Sequence, residues 1–303
     1  MMKRIAVFFM FLCGFSYGQT NNFVIENLDI NNENPHFGLM RVGNNIMLTS
    51  FELDRKGKVK RVHGEPKLMV LQGYLVGNDK IENLMPLQID PKADVSKINS
   101  ATLSADGKKI YISTVYTKKN KPKVPFKETN FHIEVGEFES GVGFTNFKVL
   151  DFCKPRFSYA HPALSSDGKT MYFTANIKGG KNTSKGASDI YKVDILEDGT
   201  YSEPLNLGLK VNSYSKEMFP YIADDNTLYF SSNRPNGFGG YDLYKSTMNS
   251  EGAFEKAVKL EEPLNSNKDD LSIIINADNV SGFLSSKRLG GKGDDDVYFF
   301  KKM

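Results

Sequence analysis

Short apolar runs alternate with polar turns along this chain, and no long stretch carries the 3.6-residue period of an amphipathic helix. The clearest instance is "LYFSSNRPNGFGGYDLY" at 228–244, two strand-like runs around a glycine-rich loop. The same layout returns in "MYFTANIKGGKNTSKGASDIYKV" at 171–193 and "GFLSSKRLGGKGDDDVYFF" at 282–300, with shorter copies "IYISTV" at 110–115 and "IMLTSF" at 46–51. Each copy follows another apolar run and a tight turn: "VGNN", "SADGKK", "SSDGKT", "ADDNT" and "NADNVS". Asp-Gly, Asp-Asn and Asn-Asn tolerate positive φ and suit hairpin loops. A third run ("KLMVLQGYLV", "FHIEVGEF", "DIYKVDI", "YDLYKS", "DVYFF") and an outer run ("IENLMPLQI", "FTNFKVLDF", "YSEPLNLGL", "FEKAVKLEE") complete the unit.

Four strands repeated five times, starting at 46, 110, 171, 228 and 282, predict an all-β, five-bladed β-propeller of four-stranded antiparallel blades. The last unit ends at "DVYFFKKM" without an outer strand, and "FVIENLDI" near the N-terminus is a spare one. Pairing the two closes the ring and removes an exposed sheet edge.

Composition refines this picture. "MMKR", the apolar run "IAVFFMFLCGF" and "SYGQT" follow the order of a secretory signal peptide, so residues 1–18 are expected to be a leader and 19–303 a single propeller domain. Met10, Phe11 and Leu12 precede Cys13, where lipid attachment requires small residues, so no lipid anchor is expected. No later segment is apolar enough to span a bilayer. The net charge of +3 falls to +1 without Lys3 and Arg4, which gives no electrostatic case for nucleic acid. Cys153 is then the sole cysteine, read as a small buried apolar residue, and the fold must rest on its core rather than on disulfides.

Repetition also sorts the candidate chemistry. Asp189, Asp242 and Asp296 hold one position in three units, as Arg234 and Arg288 do in two. A unique active site is not copied blade by blade. These residues are therefore assigned to structure, the aspartates accepting bonds from loop amides or from hydroxyls such as Ser231 and Ser285, the arginines tethering the loop. The glycine-rich loop leads into a strand, whereas a phosphate-binding loop leads into a helix, so nucleotide is excluded. Asp294 and Asp295 lack the alternating ligands and terminal Glu of an EF-hand. His36, His63, His132 and His161 show no metal-ligand spacing. No cofactor, metal or catalytic residue is assigned.

Columns that vary are the place to look for binding. Aligning the hairpins puts His36, Ser100, His161, Phe219 and Ser272 together at the start of the innermost strand, near one mouth of the channel. The varied loops 52–66 and 116–129 return to that face, and His36, His161 and Phe219 are the binding candidates.

The "LSSDGKTMYFTAN…DIYKV" and "YFSSNRP.GFGGYDLY" blocks resemble the WD-like propeller repeats of periplasmic TolB, in the version found in Bacteroidetes OmpA-family envelope proteins. The resemblance is good over residues 99–303 and weak over 21–98. It stops short of an OmpA-type domain, so direct peptidoglycan attachment is not carried over. The resemblance implies a non-enzymatic periplasmic or secreted scaffold, monomeric, that binds an envelope protein, such as an outer-membrane protein, in envelope assembly or maintenance. The competing expectation is a carbohydrate-active enzyme on a five-bladed propeller. The feature that separates them is a set of carboxylates converging on the channel.

Overall fold

A computed structural model describes residues 23–62, 64–120 and 129–303; the expected leader lies outside them, as do His63 and most of loop 116–129. The described chain is all-β and forms a five-bladed propeller. The N-terminal strand β1 (Phe23–Asn27) stands apart from the run that follows it. The second blade contains β2 (Phe37–Val42), β3 (Asn45–Phe51), β6 (Leu68–Val76) and β7 (Lys80–Pro86). Between β3 and β6 a small hairpin pairs β4 (Arg61–Val62) with β5 (Glu65–Pro66). The third blade runs β8 (Ser100–Leu103), β9 (Lys109–Val115), β10 (Phe131–Glu139), β11 (Gly143–Val149). The fourth runs β12 (Tyr159–Leu164), β13 (Thr170–Ala175), β14 (Asp189–Asp194), β15 (Leu205–Asn206). The fifth runs β16 (Glu217–Ile222), β17 (Leu228–Ser232), β18 (Asp242–Ser246), β19 (Val258–Lys259).

The first blade is assembled from both ends of the described chain. β20 (Asp270–Ile275), β21 (Ser281–Ser286) and β22 (Asp296–Lys302) are completed by β1, antiparallel, with Phe23 opposite Lys302 and Asn27 opposite Tyr298. The ring therefore closes as the spare N-terminal run predicts. Phe23 packs edge-on to Phe300 at 5.9 Å, and Asn27 Nδ2 donates to Asp296 at 2.7 Å.

The outer strands of the fourth and fifth blades are shorter than the runs at 201–209 and 254–262 suggest, at two residues each. Pro204 has no amide hydrogen to offer a ladder, and Asn206 turns its side chain inward to Asp189. Short edge strands also limit pairing between molecules.

Burial follows the strand alternation. Ile46, Leu48, Ile110, Ile112, Ile190, Phe230, Leu243, Ile274, Phe283 and Leu284 form one continuous core. An aromatic cluster of Tyr111, Phe152, Tyr159, Phe173 and Tyr191 fills the seam between the third and fourth blades. Cys153 joins that cluster, and burial pushes its thiol up to about 12, so the thiolate needed for nucleophilic chemistry is not formed near neutrality.

Candidate functional site

The repeated residues build the loop face. Lys185 N and Gly186 N donate to Asp189 at 2.8 and 3.0 Å, Phe238 N and Gly239 N to Asp242 at 2.8 and 3.3 Å, and Gly293 N to Asp296 at 2.9 Å. Each aspartate thus gathers amides of the glycine-containing loop that precedes it. Ser231 and Ser285 do not take part. Ser231 donates to Met218 O, and Ser285 meets Ser272 Oγ at 2.7 Å, because both hydroxyls face the inner strand of their own blade.

The arginines reach further than their own loop. Arg234 bonds Ser232 Oγ, Val211 O and Glu217; Arg288 bonds Ser286 Oγ, Pro263 O, Leu264 O and Asp270. Each guanidinium also lies over a tyrosine, 4.4 Å from the Tyr244 centroid and 5.1 Å from that of Tyr298. One arginine therefore joins the segment entering its blade, the acid opening the inner strand and the Tyr two residues after the motif Asp. Arginine and acid occur together. Where the fourth blade lacks the arginine, Tyr159 stands in the position of Glu217 and Asp270.

A second repeated contact was not anticipated. Asn31, Asn212 and Asn265 each exchange side-chain bonds with the backbone of the residue after the motif Asp, namely Val297, Ile190 and Leu243. An asparagine amide carries a donor and an acceptor side by side and so substitutes for a strand residue. His36 follows Asn31 by five residues, as Glu217 follows Asn212 and Asp270 follows Asn265. The sequence alignment that put His36 beside His161 was therefore off by two residues. Gly38, with φ 65°, occupies the bulge that His161 (φ 54°) and Phe219 (φ 50°) occupy in their blades.

At the channel mouth His161 and Phe219 stack at 3.9 Å, and Phe219 N donates to His161 Nδ1 at 3.4 Å. A Cβ on Gly38 would lie 3.1 Å from the Phe219 ring, so the missing side chain makes room for an aromatic reaching over from the fifth blade. His36, His161 and Phe219 are 2, 3 and 8 % exposed. They sit in the packing at the mouth and present almost no surface. Burial lowers both histidines, His161 to about 3, so neither is charged near neutrality. Glu217 and Asp270 open two of the inner strands, yet both are fully buried and each is bound by its own arginine.

Unrepeated chemistry lies instead between the second and third blades. Glu134 on β10 is 2 % exposed, and its Oε1 accepts from His132 Nε2 at 2.6 Å and from Asn120 Nδ2 at 2.8 Å. The bond to a carboxylate assigns the ring proton to Nε2. Thr117 bonds both Asn120 and Asp94, so the chain His132–Glu134–Asn120–Thr117–Asp94 is continuous. Tyr116 stacks on His132 at 3.9 Å. Glu134, Asp94, Asp90, Lys92, Asn120 and Thr145 line one cavity of about 380 Å³, and Thr145 and Lys92 N hold Asp90 from either side. His132 and Glu134 are legible in sequence as alternate residues of one strand face. Asp94 and Asn120 lie on connections, where no periodicity marks them.

No protein-family model matches the chain, and no curated protein matches it. Solved structures do. A thermostable family-43 glycoside hydrolase superimposes with a TM-score of 0.54 at 11% identity, over 91% of this chain and 92% of the other. An α-L-arabinofuranosidase from Lactobacillus brevis gives 0.53 at 12%, over 89% and 91%. A protein assigned as TolB from Agrobacterium tumefaciens gives 0.38 at 14%, over 92% and 90%. The likeness is one of fold. It overturns the expectation of a non-enzymatic scaffold, because two proteins of this fold are glycoside hydrolases. The OmpA-family assignment finds no support among family models or curated proteins. Among the described residues no helix is long and apolar enough to cross a membrane.

Proposed function

We propose that this chain is a carbohydrate-active propeller and that a sugar ring occupies the cavity beside Glu134. The observation that carries the reading is that Glu134 and Asp94, two carboxylates belonging to no repeat, line one polar cavity and are joined by a single hydrogen-bonded chain. Paired carboxylates are the minimum for glycosidic cleavage, one giving a proton to the leaving oxygen while the other takes one from the attacking water. Glu134, whose Oε1 accepts from His132 and Asn120, takes the second role and Asp94 the first. Asn120, Thr145 and Lys92 supply the mixed donors and acceptors that sugar hydroxyls require. Fold likeness to the two glycoside hydrolases supports the substrate class.

A panel of aryl glycosides, arabinofuranosides and xylosides included, tests the reading. Turnover by the purified protein is expected, with loss of at least 100-fold in Glu134→Gln at unchanged melting temperature. Absence of turnover, together with unperturbed Glu134 and Asn120 resonances in the presence of saccharides, rejects it.

The site of action in this reading is outside the cytoplasm, in the periplasm or beyond, supported by the residue order of the N-terminus. Intact-mass measurement after native expression checks this, with residues 1–18 expected to be absent. A platform for a protein partner is a second reading, favoured by Tyr214 and Leu289, 79 and 82 % exposed on connections of the loop face. Cross-linking through those two positions distinguishes it.

A further inference from the structure

The opposite mouth of the channel, on the face of the hairpin turns, is built differently. Arg41 at the end of β2 and Tyr221 on β16 converge on the carbonyl of Ile275 at the end of β20. Arg41 Nη1 donates to it at 2.9 Å and the Tyr221 hydroxyl at 3.2 Å. Arg41 Nε donates to Gly43 O at 2.8 Å. The guanidinium is thus fixed by two neutral carbonyls, while Nη2 has no partner among the described residues. No described carboxylate lies within ion-pair distance of it, whereas Arg234 and Arg288 each have one.

This mouth is a cavity of about 260 Å³ lined by Arg41, Leu103, Leu164, Tyr221, Ile222 and Asp224, which come from four blades. Asp224 accepts no hydrogen bond among the described residues. Burial pushes the Tyr221 phenol up to about 12, and Arg41 acts on it in the opposite sense to Asp224 and Asp225, so charges of both signs stand near the same hydroxyl. The rest of the lining combines aliphatic side chains with the hydroxyls of Ser165 and Ser166.

We propose that this mouth binds a small zwitterion with an apolar body, an α-amino acid with an aliphatic side chain being the simplest. Its carboxylate lies on the fixed Arg41 fork, its ammonium on Asp224 and its side chain against Leu103, Leu164 and Ile222. A guanidinium already held in place loses little freedom on binding, and a fork matches a carboxylate in two bonds. The volume lies near the lower end for ligand pockets, of order 300 Å³, which selects a ligand of this size. Binding here is independent of the cavity beside Glu134.

The test is a titration of isotope-labelled protein with L-leucine, N-acetyl-L-leucine and L-leucinamide, followed by amide resonances. Saturable shifts at Arg41, Leu103, Leu164 and Ile222 are expected with L-leucine. N-acetyl-L-leucine lacks the ammonium and L-leucinamide the carboxylate; each is expected to bind at least 10-fold more weakly. Arg41→Gln and Asp224→Asn are each expected to weaken L-leucine binding by a similar factor. Asp224 is exposed and makes no structural bond, so its variant keeps the test interpretable if Arg41→Gln fails to fold. The proposal is overturned if L-leucine gives no shift at millimolar concentration. It is equally overturned if N-acetyl-L-leucine binds as well as L-leucine and Asp224→Asn changes nothing.

Discussion

Arg288→Met is the sharpest probe of how the blades are joined. The substitution keeps an unbranched apolar stem but removes the guanidinium and with it every donor. Asp270, fully buried, loses its only charged partner, and the carbonyls of Pro263 and Leu264 lose bonds of 3.0 and 2.8 Å. Breaking a buried pair by removing one member costs about 3–5 kcal/mol. Three lost neutral-acceptor bonds, the third to Ser286 Oγ, account for about 3 kcal/mol of that, at ~1 kcal/mol each. The remainder, on the order of 1 kcal/mol, is the penalty of an unpaired buried carboxylate and should vanish in an Asp270→Asn background.

Acidity supplies an independent check. Burial raises the Asp270 carboxyl above its ordinary value, and Ser286 and Arg288 pull it back. Removing Arg288 leaves it higher still. A group whose folded value lies above its unfolded one weakens the fold as pH rises through that interval, so the Met variant should lose less relative to the parent at pH 5 than at pH 8. Urea denaturation of parent, both single variants and the double variant at the two pH values measures all four quantities. A cost below about 1 kcal/mol at pH 8, or one unchanged at pH 5 and in the Asn background, would refute the account.

Three further outcomes are expected. Asp295→Asn should stabilise the protein at pH 8 by on the order of 1 kcal/mol or more, because burial, with Asp294, Asp269 and Asp296 adding to it and Lys287 opposing, raises the Asp295 carboxyl to about 7. Its Oδ1 has no partner. The gain should shrink as pH falls below 7 and disappear below about 4, the value in an unfolded chain, in thermal melts across that range. Asp296→Ala should cost about 1–3 kcal/mol in chemical denaturation, since Lys292 N, Gly293 N and Asn27 Nδ2 lose their acceptor. Deleting residues 23–27 should lower the melting temperature more than Asp296→Ala does; an equal melt would contradict closure through β1.

Strands were legible because each inner blade position alternates and each hairpin carries its own turn residues. The Asp189, Asp242 and Asp296 column was legible because repetition exposed it. What repetition could not supply was depth. Phe219 looks like a candidate anchor in "EMFPYIA", yet its ring is covered by His161 and fits over Gly38, a contact between residues far apart in sequence. His36 was misaligned because the β2–β3 hairpin is two residues shorter than its counterpart in the fourth blade, Met40 pairing with Met47 where Ala163 pairs with Tyr172. Asn31, Asn212 and Asn265 do recur in sequence, but their bonding to the neighbouring strand appears only when the chain is folded. The link from Asp94 to Glu134 runs through Thr117 and Asn120, three separate stretches with no shared pattern.

The pairing of β1 with β22 also sets an order of events during synthesis. β1 is made well before its partner β22, so one edge waits unpaired while four blades accumulate beside it. Contacts this distant in sequence form late and slowly. An intermediate with an open ring carries two complementary bare edges, one on β1 and one on β22, and these can pair between molecules as readily as within one. The same strand exchange that seals the monomer therefore offers a direct route to linear chains of swapped molecules when folding is crowded or interrupted.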